Sequence, residues 1–138
     1  MTIEEPQAYA GQHLGMPAAG PASMAPLWRR AVGLLIDWVI AQVLAVFAFG
    51  AELGQGGAAA FVPLAVLAVL NLLCVIPFAA TPGHALMKLQ VLQVRPGSFP
   101  LQVVIRTALL CLFVPAVLTD RHGRGLHDAA AGTVIARR

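Results

Sequence analysis

The stretch RRAVGLLIDWVIAQ, Arg29 to Gln42, decides how this chain is read. It has the make-up of a membrane-spanning helix with two arginines at its entrance. Yet it carries a carboxylate, Asp37, among Leu, Ile, Trp and Val. On a helix, Arg30 and Asp37 are two turns apart and share one face. The rise per residue separates them by about 10.5 Å along the axis. Arg30 can snorkel outward to the headgroups, and Asp37 cannot reach that far. A charged aspartate at the centre of a spanning helix costs about 2.5–3.5 kcal/mol. Asp37 therefore needs either a partner or a proton.

Composition supports the membrane reading. The chain has 138 residues, of which 59% are hydrophobic and only 11% charged. Its mean hydropathy is +0.79. Soluble domains carry about 25% charged residues. One domain is the natural count at this length. The net charge is +3 from nine Lys and Arg, with Lys88 the one lysine. A small excess clustered at the ends of apolar runs is topology charge, not a nucleic-acid footprint. Cys74 and Cys111 both lie in apolar segments with no C-x-x-C pair, and read as buried, inert thiols. MTIEEPQ is acidic, with no apolar core behind it, so targeting is expected to rest on the first span.

Residues 1–26 are rich in Gly, Pro, Ala and Met without a period, and read as a disordered cytoplasmic tail. Residues 27–138 read as one multi-pass membrane domain. Leu27 to Gly50 is long enough to span. AELGQGGA, residues 51–58, is a turn. Ala58 to Ala80 is a second span without a charge, kinked at Pro63 and Pro77. Its Asn71 is expected to hydrogen-bond across to another helix. In TPGHALMKLQVLQVRPGS, residues 81–98, part reads as a short strand ending at Pro96–Gly97. Phe99 to Thr119 is a third apolar segment, interrupted by Arg106 and Pro115. In the tail, GTVIAR reads as a second short strand. The expected fold is thus an all-α membrane protein of about three hydrophobic helices with short cytoplasmic strand-like segments.

Arg29 and Arg30 precede the first span, Lys88 and Arg95 follow the second, and residues 51–58 carry no base. The positive-inside rule then puts the N-terminus and residues 81–98 in the cytoplasm. Arg121, Arg124, Arg137 and Arg138 favour a cytoplasmic tail as well, and TVIA can pair with KLQVLQV only on the same side. A third segment that enters and returns satisfies both. Three full crossings are the alternative.

Arg106 is the cation within the apolar segments, so Arg106, or Arg30 bent inward, is the expected partner of Asp37. Such a pair either fixes helix packing or forms a proton or cation site on a transport path. Asp128 precedes AAAG and reads as a helix N-cap, or as a partner of Arg30 at the cytoplasmic surface. His13, His84, His122 and His127 have no metal-ligand spacing, and a solvent-facing histidine is the expectation for His127. No nucleophile elbow and no Walker sequence occurs, so a non-enzymatic protein without cofactor or metal is expected.

An arginine at the entrance of the first span, an aspartate seven residues on, and a C-terminal LHD…AGT.V together resemble the RDD family of bacterial membrane proteins. By motif position Arg30 matches the arginine, Asp37 the first aspartate and Asp128 the second. GHALMKLQVLQV is similar to the family's Gly-x-Thr-x-Gly-Lys loop, with Gly83 and Lys88 in place. Ala85 and Met87 depart from its Thr and second Gly, which weakens that loop as a phosphate cradle. The resemblance runs from Leu27 to Arg138. It implies a multi-pass protein of the bacterial cell membrane, with transport of a small ligand or exchange of cations for protons.

Three functions stand on the sequence. One is a component of a cation, proton or small-solute transport unit, as a homo-oligomer or with a membrane partner. The second is a structural or accessory subunit. The third is a lipid-binding protein whose tail arginines hold anionic headgroups.

Overall fold

The computed structural model describes residues 8–54, 56–111, 124 and 126–138. Among them are five α-helices and a two-stranded sheet. In chain order these are α1 (Leu27–Phe49), α2 (Val62–Phe78), α3 (Pro82–Leu86), β1 (Leu89–Gln93), α4 (Phe99–Cys111), α5 (Leu126–Ala131) and β2 (Thr133–Arg137).

Helix α1 begins after Pro26, held extended at φ −65° and ψ 151°. It stops at Gly50, whose φ of +65° lets its N–H reach the Val46 carbonyl at 3.0 Å. The N–H of Ala51 closes on the Ala45 carbonyl at 3.1 Å, which satisfies the last turn. The helix has 23 residues and spans about 35 Å. A 3₁₀ turn, Gly57–Phe61, leads into α2. Pro63 lies in the first turn of α2, where a missing N–H costs nothing, so it opens the helix rather than kinking it. Pro77 lies in the last turn. Leu27–Phe49 and Gly57–Phe78 are both long and apolar enough to cross a membrane.

These helices bury polar and charged side chains among small and apolar ones, and leave large apolar side chains outside. The buried face of α1 holds Arg30, Gly33, Asp37, Ala41 and Ala45, three or four residues apart. Its outer face carries Leu35 at 61% exposure and Phe47 at 85%. On α2, Leu67, Asn71 and Val75 are buried while Leu73 and Phe78 are exposed. On α4, Gln102, Arg106 and Thr107 face inward. Small residues let the helices approach, and polar residues meet inside.

β1 and β2 run antiparallel with Val91 opposite Ile135. Their inner face joins Ala25, Val75, Leu89 and Val103 in a small hydrophobic core. The other face of β2, Val134 and Ala136, is covered by Met16 and Met24. Residues 22–25 hydrogen-bond along the free edge of β2: Ala22 to the Arg137 carbonyl at 2.8 Å and Ala25 to that of Ile135 at 3.0 Å. The Arg137 N–H returns a bond to Ser23 at 2.8 Å. The expected disordered tail is therefore corrected for this part: β2 buries both faces and one edge against it, so these residues are held in place.

α4 accounts for 13 residues of the third apolar segment, about 20 Å. The rest of that segment, with Pro115 and Thr119, lies outside the described residues, as do Asp120, Arg121 and His122. Cys74 and Cys111 are free and half-buried rather than fully buried.

The register is open to a direct test. With Cys74 and Cys111 replaced by Ser, cysteines at 91 and 135 should oxidise to a disulfide, because paired strand positions fall within disulfide reach. Cysteines at 91 and 134 should not, since a one-residue shift puts them on opposite faces. Gel mobility with and without reductant reads the outcome.

Candidate functional site

Two buried carboxylates organise the interior, and each has its own partners. Asp37 lies fully buried on α1 and faces the start of α3. There the order Thr81–Pro82–Gly83–His84 makes a helix start. Thr81 is the N-cap, accepting the His84 N–H at 3.2 Å, and Pro82 fills the first turn. The Thr81 hydroxyl donates to Asp37 Oδ2. The Gly83 N–H donates to Asp37 Oδ1 at 2.7 Å. His84 Nδ1 lies 3.3 Å from Asp37 Oδ2 and 2.5 Å from the Thr81 oxygen. Because the one hydroxyl hydrogen of Thr81 goes to Asp37, the network assigns a proton to His84 Nδ1. Nε2 is left as the other nitrogen of the ring.

This capture requires a close backbone approach. A Cβ on Gly83 would sit 2.1 Å from the Gly33 carbonyl oxygen and 2.9 Å from Asp37 Cγ. Glycine is the residue that fits there.

Asp128 is the second carboxylate, also fully buried. Arg106 Nε on α4 donates to its Oδ1 at 2.8 Å, and so does the Thr133 hydroxyl at 2.8 Å. Arg106 Nη1 reaches Asn71 Oδ1 on α2 at 3.4 Å, while Asn71 Nδ2 donates to the Leu67 carbonyl at 3.1 Å. His127 Nε2 lies 3.3 Å from Asp128 Oδ2 and 3.4 Å from Arg106 Nη2. Gly132, at φ +80°, reverses the chain between α5 and β2, so Asp128 and Thr133 meet five residues apart. Burial by itself raises the Asp128 carboxyl pKa. The Arg106 and His127 charges, with hydrogen bonds from Arg106 and Thr133, outweigh burial and hold it well below the usual carboxylate range.

Between the clusters lies a cavity of about 420 Å³, formed by α1, α2 and α4. Leu34, Leu35 and Trp38 of α1 and Leu64 and Leu67 of α2 form its apolar wall. Arg30, His84, Arg106 and His127 give its polar wall. Neither Asp37 nor Asp128 lines it. Each carboxylate stands behind the basic group it holds, so the cavity is faced by guanidinium and imidazole nitrogens. Among the described residues no three His, Cys, Asp or Glu side chains gather as a metal site.

The structure redistributes the residues singled out in the sequence. Arg106 meets Asp128, not Asp37, because α4 and α5 are neighbours while α3 turns back beneath α1. Asp128 is not an N-cap: it is the third residue of α5, its side chain turned to Arg106 and Thr133. His127 is buried rather than solvent-facing. Asn71 does bond across to another helix, through Arg106. Thr81, Gly83, His84 and Thr133 were not foreseen as partners of the two aspartates. Thr–Pro at 81–82 is a helix-start signal that could have shown where free N–H groups sit.

Two predictions follow from these contacts. Gly83→Ala should destabilise the fold by about 3 kcal/mol, since its clash is with backbone, whereas Gly33→Ala, with 3.4 Å to the nearest atom, should cost under about 1 kcal/mol. Denaturant titration of both variants compares them. Asp128→Asn should cost about 3–5 kcal/mol near neutral pH, because it leaves Arg106 buried without its counter-charge. The lowered pKa means that Asp128 contributes its stability in full above its ordinary value of 3.8 and loses it as pH falls further. Unfolding measured from about pH 6 to about pH 2 should therefore show a shallower acid loss in Asp128→Asn than in the unaltered chain.

No family model matches the chain, and neither does any curated protein or solved structure.

Proposed function

We propose that this is a small integral membrane protein of the RDD type whose internal cavity binds a solute carrying negative charge, as a component of a transport unit. The observation that carries this reading is the lining of the cavity. A cation site needs carboxylates turned towards its ligand. Here both carboxylates are spent on the chain's own donors, and the groups facing the cavity are Arg30, His84, Arg106 and His127. Small-solute binding is favoured over cation exchange on that ground.

The membrane setting is supported by the large apolar side chains exposed on the outer faces of the helices and by two helices of spanning length. Residues 22–25, β1 and β2 come from three separate parts of the chain and are hydrogen-bonded to one another. They therefore share one side, which the positive-inside rule makes the cytoplasmic side. The stretch from β1 to β2 then leaves and returns on that side, in keeping with a re-entrant third segment. The RDD assignment rests on Arg30, Asp37 and Asp128 all being buried in this interior.

His84→Asn separates binding from structure. The amide can keep the contacts of Nδ1 with Asp37 and Thr81 while Nε2 is lost. In proteoliposomes, uptake of labelled phosphate should fall about tenfold with protein abundance unchanged, the loss of one hydrogen bond from the phosphate P–OH to Nε2 at about 1.4 kcal/mol. Sodium uptake in place of anion uptake would overturn the reading, as would a variant as active as the original.

A further inference from the structure

The cavity sets a basic wall against an apolar one, the two chemistries that an acidic lipid carries. Arg30 lies in the first turns of the helix, Leu34 one turn deeper and Trp38 one turn deeper again, in steps of about 6 Å. His84 lies beside Gly33 and Asp37, further along α1 than Arg30, so the basic groups form one wall of the cavity and Leu34, Trp38, Leu64 and Leu67 the other. Leu27 and Leu35 line the cavity and are also 54% and 61% exposed, so it opens sideways through the outer face of α1. Towards the sheet, Ile135 and His127 close it. A solute from water meets the closed end, and a molecule already in the bilayer meets the open one. The volume of about 420 Å³ lies within the range of small-molecule sites.

Resting on the reading of this cavity as a binding site for an anion, we propose that its occupant is one acidic membrane lipid. The anionic head sits against Arg106, Arg30 and the histidines. An acyl chain lies along Leu34, Trp38 and Leu64 and leaves past Leu35. Charge complementarity selects the head: the four cavity-facing polar groups are guanidinium or imidazole, with the two carboxylates behind them. Asp37 keeps His84 turned, holding Nδ1 and leaving Nε2 to accept from the P–OH of the phosphate head. Asp128 does the same for Arg106 at Nε, with Asn71 and His127 steadying Nη1 and Nη2 at 3.4 Å, and the side chain lines the cavity.

Trp38 is a built-in reporter, and Trp28→Phe leaves it as the one tryptophan of the chain. The protein is reconstituted in phosphatidylcholine bilayers containing a small fraction of lipid brominated on its acyl chains. Brominated phosphatidic acid should quench Trp38 at least about threefold more than brominated phosphatidylcholine at equal fraction, the preference that ~0.7 kcal/mol gives. Ala31→Phe, which fills the cavity from an exposed position, should abolish the preference. Val69→Phe, exposed on α2 and away from the cavity, should leave it intact. Equal quenching by the two lipids overturns the proposal. If inorganic phosphate then changes Trp38 emission saturably, the cavity takes a soluble anion and only the lipid assignment falls. If neither lipid nor phosphate acts on Trp38, the anion-binding reading falls with it.

Discussion

The helical layer depends on a carboxylate sealed from solvent. Asp37 has no exposed surface, and an unpartnered charge in such a place costs several kcal/mol. The chain meets that demand with three groups from one helix start rather than with an arginine or lysine. α3 starts directly below α1 and offers a hydroxyl, a main-chain N–H and an imidazole to the two carboxylate oxygens. Everything nearby serves that approach. Gly33 and Gly83 let the two backbones come together, and Ala41 and Ala45 keep the same face of α1 narrow against its neighbours. Ala79, in the left-handed region at φ 58°, turns the chain out of α2 so that Thr81 arrives where it is needed.

Asp128 solves the same problem differently. It takes a guanidinium, a hydroxyl and an imidazole, and so ties α4 to α5 and to the first residue of β2. Arg106 carries the tie on to α2 through Asn71. The two arrangements leave acids at the back and bases at the front of one cavity. Buried charge of both signs thus holds the bundle together while showing the cavity only one kind of group.

Helices α1 and α2 and the strands at 89–93 and 133–137 were legible because each follows from local patterning, and the strand pairing because the basic residues favour one side for both. The burial of Asp37 and Arg106 was legible too, since both stand within apolar runs; that of Asp128, read as an N-cap or a surface partner of Arg30, was not. Nor was the pairing of these charges. Which carboxylate Arg106 meets depends on how α4 and α5 lie in space, and spacing along one helix carries no information on that. The partners of Asp37 were hidden for another reason: Gly83 contributes a main-chain N–H, which no side-chain motif reveals. Residues 22–25 escaped notice because a strand added to an edge needs hydrogen-bonding backbone more than any pattern of side chains.

Asp37 and Thr81 stand 44 residues apart in the chain, and that gap has a consequence for the order of assembly. Chains emerge from the ribosome N-terminus first, so α1 is complete before any of the groups that hold its carboxylate exists. For that interval Asp37 depends on water or on a proton. Its final partners arrive only once α2 has run its length and turned at Ala79. The hairpin of α1 and α2 therefore has to form around an unfinished polar site, and α3 works as a latch that closes afterwards. Lengthening the connection at residues 51–56 would delay that latch without touching a single contact in it.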